Sequence, residues 1–281
     1  MFNALTFFGA EGGVPLAAQT IFSIGSFNVT NSMLFGVITG AAVVLILLAA
    51  VKKSHLKPTS MFSFTLETIA EFILNTAEEG FNSRKKALKH LPFLLSLFCF
   101  ILLANLSGLI PGVGTIVVNT EHGEVSLLRA FTTDLNGTIA LAVLSIGLVQ
   151  FYALKELGIL GHLKNYFTNK PYNPINLFMG LIEVMGEFIR IITLSMRLFG
   201  VIYAGEVLLH VIGQLAGAFG WAATVPVYFL ELFFSAIQAY IFVMLTTAYL
   251  NMATSSHGEH SEHESDHSKP AKLKTAAANE S

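Results

Sequence analysis

The sequence predicts an all-α membrane protein. It is expected to have five membrane crossings and one interfacial amphipathic helix, with the last two helices forming a long, strongly tilted hairpin. Three observations carry this. Of 281 residues, 53% are hydrophobic and only 12% charged, about half the charged share of a soluble domain. The charges cluster, which leaves uncharged runs of spanning length. Lys and Arg also rise and fall from one connection to the next, as they do in a chain that crosses a bilayer repeatedly.

Residues 1–32 lack both a basic start and a continuous apolar core, so they are read as an external N-terminal segment with no cleaved signal peptide. A membrane domain follows over 33–253. Its first run, 33–51, is uncharged and long enough for a hydrocarbon core of about 30 Å. Two more runs of spanning length lie at 93–110 and 137–154. Between the first two, Phe62, Leu66, Ile69, Phe72 and Ile73 recur at helical spacing. Glu67, Glu71, Asn75 and Glu78 fall largely on another side. Pro58 with Thr59 or Ser60 can start this helix and Gly80 can end it, and it reads as lying on the membrane.

The next stretch continues its helical pattern from about Pro174 to Gly213 through every charge. Such a helix is roughly 60 Å long, twice the hydrocarbon thickness, so it must tilt, break or leave the membrane. The uncharged 213–226 reads as a hairpin turn. A last helix is expected from Pro226 to about Met252.

Orientation follows from the basic residues. The first 51 residues contain none, whereas Lys52, Lys53, Lys57, Arg84, Lys85, Lys86 and Lys89 fill the next connection. The connection over 111–136 has only Arg129, against Glu121, Glu124 and Asp134. Lys155, Lys164 and Lys170 follow the third span. The N-terminus is therefore placed outside and the C-terminus in the cytoplasm. The polar tail, 254–281, reads as disordered; its four closely spaced histidines suit a metal or simply a solvated tail.

Other classes are disfavoured. A net charge of −2 argues against a nucleic-acid partner. Cys99, the single cysteine, sits in an apolar run, so no disulfide framework or metal-ligand spacing exists. No metal or cofactor is expected.

What an apolar helix must explain is its charge. Glu183, Arg190 and Arg197 are seven residues apart and share a face. Glu187 lies three residues before Arg190 and can pair with it. Arg197 has no acid three or four residues away in either direction. Glu206 is nine residues on, about 180° around the helix and roughly 13 Å along it. His210 follows at four residues and can share its proton. On the last helix, Glu231 and Gln238 share a face. An unpaired intramembrane arginine is a functional residue by default.

The stretches "LSMRLFGVIYAGE" and "PVYFLELFFSAIQAYIFVMLTTAYLNM" resemble subunit a of the rotary F-type ATP synthases. "LLANLSGLIPG" and "TTDLNGTIALA" resemble earlier segments of that family, so the likeness runs from Pro58 to Met252. The resemblance implies a stator subunit beside a c-ring of small two-helix subunits, with the peripheral stalk subunit b as a further partner. The setting would be a whole F-type ATP synthase in the bacterial plasma (inner) membrane. It implies two proton half-channels that do not meet. Arg197 would be the essential arginine facing the rotor carboxylate, with Gln238 beside it. Glu206 and Glu231 match positions lining the outer half-channel, with Asn105 and Asp134 nearer its mouth, and Glu183 matches an acid toward the cytoplasmic exit. One departure is Val201, where the family usually has Asn; it removes a polar contact near the arginine.

On the residues alone, Asn105, Pro111 and Asp134 can also simply end helices, and Glu231 can be a buried acid bonded to a backbone carbonyl. A secondary antiporter is the rival reading, but such proteins usually show internal repeats and broken helices. A membrane scaffold would not need Arg197. The chain has no glycine-rich phosphate loop, so it is read as non-catalytic.

Overall fold

The computed structural model describes residues 18–24, 27–53, 61–110, 117–120, 123–126, 129–166, 174–215 and 219–254. The expected disordered tail therefore lies outside the described residues, as does most of the N-terminal segment. Six α-helices dominate the described residues: α1 (Asn31–Lys53), α2 (Met61–Phe81), α3 (Arg84–Gly108), α4 (Leu135–Tyr166), α5 (Pro174–Leu215) and α6 (Gly220–Thr254). Among the described residues, five of them, all but α2, are long and apolar enough to cross a membrane. The all-α membrane class is as expected.

Two short antiparallel hairpins were not anticipated. One pairs β1 (Thr20–Ile24) with β2 (Phe27–Thr30), with Ile24 opposite Phe27. The other pairs β3 (Val117–Thr120) with β4 (Gly123–Ser126), with Thr120 opposite Gly123.

Several boundaries differ from the sequence reading. Helix α3 begins at Arg84 and carries Pro92 within it, so its basic first turns and its apolar run form one element. Helix α6 begins six residues before Pro226. Pro226 is the seventh residue of α6 and has no N–H to donate to the Ala222 carbonyl, so the helix runs through it with one backbone bond missing. Helix α5 runs on to Leu215, so most of the stretch 213–226 read as a turn is helical. Helix α4 is interrupted at Gly158, whose φ of 73° and ψ of 161° are not helical. Helix α5 is a single element of 42 residues, the continuous alternative among those open to it.

The chain divides into two compact units. The first comprises Met1–Ile146 and Ile189–Thr247. Its core is built from Ile73 and Ala77 of α2, Leu94 and Ile101 of α3, Leu198 of α5 and Phe242 of α6, each almost fully buried. Helix α2 packs chiefly on α3 and touches α6, where the Phe72 and Tyr240 rings are 5.4 Å apart. The buried face of α2 is Ile73, Leu74, Ala77 and Phe81, while Phe72 is half-exposed.

Phe131 fastens the segment before α4. A Cβ on Gly36 of α1 would overlap its ring, and one on Gly137 of α4 would lie 2.8 Å from it. Only glycine permits both approaches, and so both helices close on one aromatic ring.

The second unit, Gly147–Phe188 with Ala248–Ser281, contains the latter part of α4, the start of α5 and the last turns of α6. Its Ala153 and Leu250 are fully buried.

Candidate functional site

The polar residues of interest in the first unit begin at the start of α4. Asp134 has an extended backbone, and its carbonyl accepts from the Thr138 N–H at 3.1 Å. Its Oδ1 accepts from the Asn136 N–H at 3.1 Å, which makes it the N-cap of α4. Its Oδ2 accepts from the Ser32 hydroxyl at 2.8 Å, joining the starts of α1 and α4. Thr30 caps α1, its Oγ1 accepting from the Met33 N–H at 3.3 Å, while Asn31 Oδ1 accepts from the Ser32 N–H at 2.9 Å. Asp134 therefore fills the helix-end role that the residues alone allowed.

Five residues earlier, Arg129 is buried. Its Nε donates to Thr133 Oγ1 at 3.2 Å and its Nη2 to the Thr133 carbonyl at 3.1 Å. A buried guanidinium held in a fork is a fixed positive charge. That charge, together with His210 and the Thr133 hydroxyl, acts on the carboxylate of Glu206 on α5. The Glu206 Oε2 is buried without a hydrogen-bond partner. His210 is exposed, and its Nε2 lies 2.9 Å from Gln214 Nε2.

Glu231 of α6 comes next. It is 5% exposed, it feels the charge of Glu206, and its Oε2 also has no partner. The carboxyl lies on α5 at Gly205, where an added Cβ would be 2.7 Å from Glu231 Oε1. Glycine leaves room for the carboxyl here, and any added side chain would force Glu231 to move. Beside it lies a cleft of about 210 Å³, lined by Val201, Gly205 and Leu208 of α5 and by Leu230, Glu231 and Phe234 of α6. Val201 thus supplies an apolar wall.

From Glu231 the polar face of α6 continues through Ser235 and Gln238, at spacings of four and three residues, hence about 10 Å of helix. Asn105 of α3 meets this face, its Nδ2 donating to the Ser235 carbonyl at 3.4 Å. Asn105 Oδ1, Ser235 Oγ and Gln238 Nε2 are buried and unpartnered. Asn105 thus belongs to the same file as Glu231 and Gln238. At the start of α6, the Tyr228 hydroxyl donates to the Leu109 carbonyl and fastens α6 to the end of α3.

Arg197 is half-buried on α5 and has no hydrogen bond or ion pair to any described residue. Its neighbours Leu194 and Leu198 are buried. Glu183 falls in the second unit, half-buried and with a partner of its own; Glu187 and Arg190 are likewise partnered.

The structure thus gathers Glu206 with Glu231, and Asn105 with the face carrying Gln238. It also adds residues that sequence reasoning passed over. In sequence Arg129 is only a loop charge, although a single arginine among outer acids is itself a signal. Ser235 is on the Glu231–Gln238 face and was within reach of the same helical argument. Thr133 and Ser32 gave no sequence signal, because their roles depend on neighbours distant in the chain.

Five membrane-length helices and a buried file of carboxyl, hydroxyl and amide groups define a polytopic α-helical membrane protein with a polar interior. The sequence matches the family described as ATP synthase A chain over residues 33–251. It is 34% identical over 227 residues to ATP synthase subunit a 1 of Photobacterium profundum, covering 79% of this chain and 86% of that one. ATP synthase subunit a of Buchnera aphidicola subsp. Baizongia pistaciae is 30% identical over 240 residues, 83% of this chain and 87% of its own length. That of Acinetobacter baylyi is 30% identical over 247 residues, 81% and 83% of the two chains. The chain belongs to the ATP synthase A chain family.

Proposed function

We propose that this chain is the proton-conducting stator subunit of an F-type ATP synthase. It stands beside a c-ring of small two-helix subunits, with subunit b of the peripheral stalk attached. It lies in the bacterial inner membrane with its N-terminus outside and its C-terminus in the cytoplasm. Helix α2 lies along the membrane surface, and α5 and α6 form a tilted hairpin against the ring. The chain itself is non-catalytic, and ATP chemistry takes place in other subunits.

The observation that carries this reading is the contrast between Arg197 and the buried file of Glu231, Ser235, Gln238 and Asn105. A guanidinium keeps its charge in any protein environment, and this one has no partner among the described residues. A rotor carboxylate can cross lipid only when protonated, since the ionised form carries a large desolvation penalty. Opposite Arg197 that carboxylate is favoured in its ionised form. It therefore releases its proton on one side of the arginine and reloads on the other.

Reloading is supplied from outside through Glu206 and Glu231, with Asp134 near the mouth and Asn105 and Gln238 deeper. His210 assists Glu206. Glu183 serves the cytoplasmic exit. The two paths do not meet, so a proton passes from one to the other only as the ring turns. Each proton yields about 2.3 kcal/mol per 100 mV, so several are needed per ATP.

The experiment is affinity purification of the tagged chain in mild detergent. The expected outcome is co-purification of a ring of two-helix subunits together with an ATP-hydrolysing sector. Isolation as a lone homodimer would favour the antiporter and overturn the proposal.

A further inference from the structure

We infer that the Ser235 hydroxyl, with the Asn105 amide beside it, is a proton-relay station between Glu231 and Gln238. The inference rests on the proposed function above and adds a residue to it.

The first observation is how Ser235 differs from its peers. Buried hydroxyls in the other positions of the α-helices spend their hydrogen on a nearby carbonyl or side chain; outside the α-helices, the buried Thr132 hydroxyl in the turn before α4 is also unpartnered. Thr39 donates to the Phe35 carbonyl at 2.9 Å, and Thr138 to the Leu135 carbonyl at 3.0 Å. On α6 itself, Thr246 and Thr247 each donate to the carbonyl four residues back at 2.9 Å. Ser145 pairs with Thr246, and Ser32 with Asp134. Ser235 is fully buried, yet its Oγ has no partner. A helical serine can always satisfy itself by bonding back to its own helix, so an uncommitted hydroxyl here is held away from that default.

The second observation is where the uncommitted capacity lies. Asn105 Oδ1 is buried and unpartnered, and its Nδ2 is fixed on the Ser235 carbonyl. Glu231 Oε2 is unpartnered one helical turn before Ser235, and Gln238 Nε2 one turn after. A buried water needs two to four polar partners, and these four groups provide donors and acceptors of both kinds. A stability role predicts satisfied groups; four unsatisfied ones in a row suit a path that must hand hydrogen bonds over.

The chemistry balances without charge on the serine. The protonated Glu231 carboxyl gives its proton to the hydroxyl oxygen as the hydroxyl's own proton passes to a water held by the Gln238 amide and on to the ionised rotor carboxylate, which leaves Glu231 ionised until it reloads from outside. The serine ends neutral, with its O–H turned the other way. Asn105 takes no proton; its amide accepts the turned O–H and so positions it.

The test is Ser235→Ala in the whole complex, reconstituted into vesicles. Ring assembly is expected to be normal, and thermal stability unchanged or raised, because alanine removes an unpartnered hydroxyl. ATP-driven acidification should fall several-fold. Asn105→Val should lower it too, and the double variant should be no slower than the worse single one, since both serve a single step. Wild-type pumping by Ser235→Ala, or a loss matched by lowered stability, would overturn the relay. Arg197→Ala in the same series separates the two levels. If it stops pumping while Ser235→Ala does not, only the relay fails; if it still pumps, the underlying function fails.

Discussion

Substituting Gly205 by alanine probes the closest approach in the candidate path. The new Cβ would lie 2.7 Å from Glu231 Oε1, 2.9 Å from Cδ and 3.0 Å from Cγ. Non-bonded heavy atoms settle at about 3.5–4.0 Å, so the Glu231 side chain must retreat by roughly 0.5–1 Å. Overpacking of this kind costs about 1–3 kcal/mol. Alanine returns about 1 kcal/mol over glycine in a helix interior. The net loss of stability is then about 0–2 kcal/mol, small enough for the subunit to assemble. Function should suffer more, because a 1 Å misplacement of a positioned group can cost about 100-fold. We expect ATP-driven acidification of reconstituted vesicles to fall by about 10- to 100-fold with the complex intact. Adding Glu231→Asp, one methylene shorter, should recover part of the rate. Wild-type pumping by Gly205→Ala, or no recovery in the double variant, would refute the idea that conduction depends on where this carboxyl sits.

Three further outcomes follow from the same geometry. Asp134→Ala removes the cap of α4 and the bond to Ser32, and should lower stability by about 1–3 kcal/mol in a detergent melt; an unchanged melting temperature would leave the cap without weight. Arg129→Gln should slow pumping by removing the fixed charge near Glu206, and Arg129→Lys should restore only part, because an ammonium lacks the planar fork; full activity in Arg129→Gln would make the arginine structural. A cysteine replacing Glu121 should react with an impermeant thiol reagent from outside only, and one replacing Lys85 from inside only; labelling of both from one face would contradict the five-crossing topology.

How much of this was legible depended on whether the cause was local. Helix α5 was readable throughout, because its period survives every charge and nothing between Pro174 and Leu215 breaks it. The start of α6 was not, since Pro226 looks like a boundary, yet the helix begins at Gly220 and runs through it. The β1–β2 hairpin carried its own signal, a Gly25–Ser26 pair between β-branched and aromatic residues, which is faint beside the hydropathy of the spans. Glu206 and Glu231 were legible as charges out of place. Their meeting was not, because it depends on Gly205 allowing two helices to touch. Arg129 was hidden for the opposite reason: in sequence it belongs to a polar connection, and only the folded chain buries it. Ser235 is an ordinary residue in a helix until its hydroxyl is found uncommitted.

The account turns on Arg197 as the barrier between two half-channels. Its most direct test is Arg197→Ala in the complete complex, reconstituted into vesicles and assayed both for ATP-driven acidification and for passive proton conductance. Without the charge, nothing stops a protonated rotor site from passing between the paths, and nothing favours ionisation there. Acidification should be abolished while passive conductance is retained or increased. Arg197→Lys should fail in large part as well, since a desolvated ammonium can lose its proton. Persistent ATP-driven acidification by the alanine variant would contradict the account.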